Sequence, residues 1–266
     1  MPATWPTAER TNPMDAPCWL ERTAIVAGPE MMDALARTSV AVLGVGGVGS
    51  WCVEALARTG VGAITIADPD CVAQSNINRQ LPALVTTVGQ AKVDVLARRI
   101  ADINANCAVK ALQKRYTPET AADFGLDNYD YVVDAIDTLS PKLALIKGCL
   151  ADKASLILRC TSAATAPRAG FVSSMGAARK LDPARVSVAE FWKVEGCALA
   201  RALRTRFRRS GEFPGCKFQC VYSPESIPQC GDAGANGTFM HITATFGLRL
   251  ASLIIEDIYR RTHANK

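Results

Sequence analysis

Residues 39–51 read SVAVLGVGGVGSW, an apolar run that breaks at four glycines in six positions, Gly44, Gly46, Gly47 and Gly49. Ser39–Leu43 is expected to be a strand. Gly49–Thr59 is expected to be a helix, with Gly60 placed to end it. A second buried strand, AITIA at Ala63–Ala67, follows and closes on Asp68. A strand, loop, helix and strand in about 30 residues is the length of a right-handed parallel crossover.

The same alternation continues downstream. Gln90–Ile103 carries Leu96, Ile100 and Ile103 on one helical face, and Val109–Leu112 is a candidate third strand. YDYVV (Tyr129–Val133) is expected to be a strand ending at Asp134, with a helix starting near Pro141 and a fifth strand, SLILRC, at Ser155–Cys160. The pattern predicts an α/β, Rossmann-like, mostly parallel sheet with helices on both faces. Beyond Thr161 it changes to a helix over 196–210, a strand at FQCVYS (Phe218–Ser223), a loop over 231–237 and a long C-terminal helix over Met240–Tyr259. A single domain over 19–266 is expected, with a nucleotide-binding core at about 22–160 and a substrate-facing part at about 161–266.

Composition narrows the class. The 266 residues are 49% hydrophobic and 21% charged, which suits a packed core, and no long uncharged apolar stretch reads as a membrane span. Residues 1–18 hold four prolines and no apolar signal-peptide segment, so they read as a disordered leader of a cytoplasmic protein. None of the ten cysteines forms a C-x-x-C pair, which removes the usual zinc-ribbon and thioredoxin signals. Charge is uneven: Lys193–Lys217 holds seven basic residues against two acidic ones, either a solvated helix face or a surface for a polyanion.

Gly44-x-Gly46-x-x-Gly49 opens a helix after a strand, where backbone N–H groups can cradle phosphates. Asp68 stands where an acidic side chain accepts from ribose hydroxyls. Those residues alone leave NAD and ATP both open. The next stretch, DPDCVAQSNINRQ (Asp68–Gln80) followed by GQAKVD (Gly89–Asp94), favours ATP. Arg79 and Lys92 have no task in hydride transfer, whereas cations are needed where charge grows on a departing pyrophosphate. Asn76 and Asn78 are candidate partners of phosphate or sugar. VVDAIDTLSPK places Asp134 and Asp137 at a strand's carboxyl end, where a carboxylate can hold Mg²⁺ or simply cap the strand. Cys220 reads either as core or as nucleophile, and His241 either as packing or as ligand.

GVGGVGS, DPDCVAQSNINRQ, VGQAK and DAIDTLSPK, in that order, resemble the ubiquitin-activating-enzyme-like ATP-dependent adenylating superfamily. The resemblance implies ATP contacts from Gly47, Asp68, Asn76, Arg79, Lys92 and Asp137, with Mg²⁺ on Asp137. It also implies a homodimer in which Arg22 reaches the partner's nucleotide. One departure stands out: the family often has D-N where this chain has Asp137-Thr138. The C-terminal half carries SSMGAARKLDPARV (Ser173–Val186), CALARALRTRFRR (Cys197–Arg209), CVYSPE (Cys220–Glu225) and GTFMHITATFGL (Gly237–Leu248). These segments resemble the branch that dehydrates threonylcarbamoyladenosine beside the tRNA anticodon. That branch implies tRNA as partner, with Arg201, Arg204, Arg206, Arg208 and Arg209 as candidate phosphate contacts, and a sulfur-trafficking protein as a further candidate partner. The alternative within the superfamily is adenylation of the C-terminus of a ubiquitin-like sulfur carrier.

Overall fold

In the computed structural model, residues 17–150, 170–230 and 236–264 are described. Seven strands form one sheet: β1 (Ser39–Leu43), β2 (Ala63–Ala67), β3 (Ala108–Leu112), β4 (Tyr131–Asp134), β5 (Gly170–Ser174), β6 (Ser187–Glu190) and β7 (Gln219–Tyr222). Their order is β3-β2-β1-β4-β5-β7-β6. Every pairing is parallel except β6 with β7, so the expected mostly parallel sheet is present with one antiparallel edge.

The central strands β1, β2 and β4 are buried at every position, because their residues are mostly apolar and both faces of the sheet are covered. Val40 and Val42 of β1 point into one cluster with Leu56, Ile64 and Phe246, while Ala41 and Leu43 point into another with Leu145, Phe191 and Phe207. The first cluster is covered by α1 (Glu21–Arg37), α2 (Gly49–Thr59), α3 (Lys92–Ile103) and α7 (Met240–His263). The second is covered by α4 (Ala121–Phe124), α5 (Leu139–Leu150) and α6 (Ala198–Ser210). α2 ends as expected: Gly60 takes a left-handed φ of 90°, and its N–H reaches the carbonyls of Leu56 and Ala57.

Three elements differ from the sequence expectation. α1 has no counterpart in it, and is broken at Gly28 (φ 69°, ψ 167°) just before Pro29, which hides its period. Cys18–Leu20 form a tight turn leading into α1, with Pro17 just before it; residues 1–16 of the expected leader lie outside the described residues. β5 and β6 have no counterpart in the sequence expectation; the strand expected at Ser155–Cys160 lies outside the described residues, as does most of the 231–237 loop. Among the described residues no helix is long and apolar enough to cross a membrane.

Candidate active site

The strand order reverses between β2-β1 and β4-β5, so the loops after β1 and β4 separate and leave a crevice at the carboxyl edge of the sheet. A cavity of about 850 Å³ opens there. Its lining includes Gly44, Gly46, Gly47, Asp68, Arg79, Gln80, Lys92 and Asp137. The sequence scatters these residues over nearly a hundred positions; the parallel topology brings their strand ends together.

The glycine turn is shaped by close approaches. Gly44 has φ 87°, and a Cβ there would lie 2.7 Å from the carbonyl oxygen of Ala135 after β4. A Cβ on Gly49 would lie 1.8 Å from the carbonyl oxygen of Gly44. Gly49 therefore serves the turn itself and does not line the cavity. Gly46 differs: the nearest atom to an added Cβ is Gln80 Nε2 at 3.6 Å, an ordinary contact, so its bareness keeps the cavity open. Among the described residues, the N–H groups of Gly46 and Gly47 have no acceptor.

Asp68 braces this turn. Its Oδ2 accepts from Val45 N–H at 2.8 Å, and its Oδ1 accepts from Asp70 N–H at 3.0 Å. Burial raises its pKa above the usual aspartate value, against the pull of Lys92 and the two backbone donors. Lys92, 5% exposed, holds its Nζ 3.0 Å from Asp70 Oδ2 and 3.8 Å from Asp68 Oδ1. Arg79 donates from Nη1 to Ser75 O and Asn78 Oδ1, and its Cγ runs over Gly47. Asp137 is exposed at the rim and pairs with no cation among the described residues.

Several expected residues fall elsewhere. Asn76 does not line the cavity; its Oδ1 accepts from Ala73 N–H and closes the turn that carries Arg79. Asn78 is exposed and bonds Arg79 and Thr238. Arg22 is exposed on the first turn of α1, outside the lining. Asp134 is wholly buried in an ion pair with Lys142 Nζ at 2.7 Å, and also accepts from Ser173 Oγ and Ile136 N–H. It is a structural anchor, because no open oxygen faces the cavity. Cys220 is fully buried and burial drives its thiol pKa far up, so the core reading holds. His241 is exposed, outside the cavity lining, and its Nε2 lies 2.9 Å from the carbonyl of Leu181. Arg204 turns inward to cap the carbonyls of Phe191 and Val194, which removes it from any anion-binding face. Arg201 lines the cavity, and Arg206, Arg208 and Arg209 are exposed.

Other lining residues had no sequence signal. Gln80 is buried, and its Oε1 finds no hydrogen-bond partner among the described residues. A buried amide oxygen left so costs about 1–3 kcal/mol unless something in the cavity satisfies it. Lys114, Arg115, Arg179 and Lys180 add four cations to Arg79, Lys92 and Arg201, against the carboxylates of Asp68, Asp70 and Asp137. The cavity is thus built for a polyanion. No cluster of three metal-ligating side chains exists among the described residues.

Comparison with known proteins agrees with this geometry. The ThiF family matches residues 20–257. The tRNA threonylcarbamoyladenosine dehydratase of Bacillus subtilis is 45% identical over 205 residues, covering 77% of this chain and 74% of the relative. The Escherichia coli protein of the same name is 37% identical over 85% of this chain and 81% of its own. The crystal structure of the E. coli tRNA N6-threonylcarbamoyladenosine dehydratase in complex with ATP superposes with a TM-score of 0.80 at 34% identity, covering 94% of this chain and 99% of that one.

Proposed function

Because this chain belongs to the ThiF family, we propose that it dehydrates threonylcarbamoyladenosine in tRNA at the expense of ATP, through an acyl-adenylate. The observation that carries the reading is the convergence of a bare glycine turn, Arg79 and Lys92 on one polyanion-binding cavity at the reversal of strand order. The relatives' names supply the substrate, and the ATP complex of the E. coli relative supports ATP as the nucleotide.

The chemistry follows from the lining. The N–H groups of Gly46 and Gly47, at the start of α2, meet phosphate oxygens together with the positive end of the helix. The threonyl carboxylate of the modified base attacks the α-phosphorus; an O–P bond forms and the bond to pyrophosphate breaks. Charge moves onto the departing pyrophosphate, and Arg79 and Lys92, both in the cavity lining, are the cations that would receive it. Lys92 is preorganised for that by Asp68 and Asp70, so it needs no reorientation. A nitrogen of the same base then attacks the activated carbonyl, closing the ring and releasing AMP. That second step is intramolecular, so positioning supplies much of its rate and no enzyme thiol is required.

The carboxylates present fit Mg²⁺ held by one side chain, Asp137, with phosphate oxygens and water completing its shell; Asp68 and Asp70 are committed to Lys92. The ion would neutralise phosphate charge. The reading keeps Arg22, exposed on α1, as a residue that would reach the nucleotide of a second copy of the chain. Mass spectrometry of tRNA nucleosides after incubation with enzyme and ATP tests the reading. Loss of one water from threonylcarbamoyladenosine, with AMP and pyrophosphate formed in equal amounts, is expected. AMP formation driven instead by a small carrier protein would move the assignment to sulfur-carrier activation.

A further inference from the structure

Arg179 is the one non-glycine residue among those described with a left-handed backbone, at φ 60°. L residues with a side chain rarely adopt that conformation, and glycine adopts it freely. The surroundings hold it there from two sides: Arg179 N–H donates to Gly237 O at 2.9 Å, and Ile227 N–H donates to Arg179 O at 3.0 Å. Its side chain is steered as well. Nε donates to Ile227 O at 3.0 Å, and among the described residues neither Nη1 nor Nη2 has a partner. Arg179 lines the active-site cavity. A strained backbone that presents a pinned arginine with two open donors points to a bound anion.

The anion belongs to the second wall of the cavity. Gly176, three residues earlier, packs against the start of α6, where an added Cβ would lie 3.6 Å from Cys197 Sγ and 3.8 Å from Leu199 Cβ. Arg201 of α6 lines the same cavity, and Arg208 follows seven residues on, about 10 Å further along the same helical stripe. Arg208 lies over the ring of Trp192, 5.8 Å from its centroid. The reacting carboxylate, by contrast, must sit at the α-phosphorus, opposite the departing pyrophosphate. A cationic track leaving the cavity in this way suits a chain of phosphates better than a single small acid.

We infer that Arg179 is a positioning residue that grips a backbone phosphate of the RNA next to the reacting nucleotide, with Arg201 continuing the track. The inference rests on the tRNA reading given above. A phosphate in a single-stranded loop has the spacing and charge for a two-pronged guanidinium contact. The contact orients the RNA and carries no sequence information.

Arg179→Gly is the decisive variant, because it removes the side chain and relaxes the backbone at once. Arg179→Lys keeps the charge and the strain but loses the fork. With tRNA bearing threonylcarbamoyladenosine, KM for tRNA is expected to rise about tenfold in Arg179→Gly and less in Arg179→Lys. The slope of log KM against log salt should become shallower by about 0.7, the value for one single-strand phosphate contact. The Tm should not fall, and the ATP affinity measured without tRNA should fall by far less than the tRNA affinity. An Arg179→Gly enzyme with wild-type KM and salt slope overturns the inference, as does a lowered Tm with equal losses toward ATP and tRNA, which marks a brace. A fall in kcat at saturating tRNA with an unaltered salt slope also overturns it, since that result places Arg179 on the reacting group. If wild-type enzyme does not convert the tRNA at all, the functional reading fails first.

Discussion

Lys142→Met tests how the floor of the active site is held. Lys142 and Asp134 are both 0% exposed and pair at 2.7 Å, and Lys142 Nζ also donates to Ile136 O at 3.0 Å. Removing the lysine leaves a buried carboxylate with only Ser173 Oγ and Ile136 N–H as partners. Breaking a fully buried pair in this way costs about 3–5 kcal/mol, which corresponds to a Tm lower by about 6–20 °C in a chain of this size. The deficit depends on pH with a definite sign. Burial already raises the pKa of Asp134, and Lys142 is the first of the groups that oppose it. Without Lys142 the folded-state pKa climbs further above the unfolded value, so folding favours the protonated acid. The deficit is therefore small below the usual aspartate value and grows as pH rises through the folded pKa. Urea unfolding at several pH values measures it. A second variant, Lys142→Met with Asp134→Asn, removes the orphaned charge while keeping an acceptor for Ile136 N–H, and about 2 kcal/mol should return. If the single variant loses under about 1 kcal/mol at neutral pH, or the double variant is no better than the single, the pair is not what anchors this loop.

Gly46→Ala should leave Tm unchanged, since the new methyl meets Gln80 at 3.6 Å, yet raise KM for ATP about tenfold by filling the phosphate approach; Gly44→Ala should lower Tm as well, because its methyl meets Ala135 O at 2.7 Å in a left-handed turn. Arg79→Ala should lower the rate of AMP formation by about 10²–10³ with an unchanged far-UV spectrum, the cost of one preorganised charge partner; a loss under tenfold would set Arg79 aside. Glu54 anchors the acid side of the stability profile. Burial pushes its pKa up, but Arg99 and Arg58 donate to it at 2.7–2.8 Å and leave it below the usual 4.5. Its contribution is then present above 4.5 and lost as pH falls through the folded value, so Glu54→Gln should flatten the acid limb of stability below about pH 4.5 in urea titrations.

Much of the nucleotide half could be read directly. β1, α2 and β2 begin and end where the glycine, apolar and Asp68 pattern places them, because each signal is local: a left-handed Gly60, an apolar run, a helix opening on glycines. Arg79, Lys92 and Asp137 were identifiable because their residue types have few other uses after parallel strands, and all three reach the cavity. Asn76 lies outside the cavity lining, and a side chain that closes its own turn looks the same in sequence as one that reaches a ligand.

The sequence alone determined the parallel α/β class, the glycine turn and the cationic chemistry, since period, turn residues and charge act over a few neighbouring positions. Only the tertiary structure separated Asp134 from Asp137, turned Arg204 inward while leaving Arg201 in the cavity, orphaned the Gln80 oxygen, and set Arg179 in a left-handed backbone. Those outcomes depend on which distant segments meet at the strand ends, and burial and pairing at such meetings are decided by contacts dozens of residues apart in the chain.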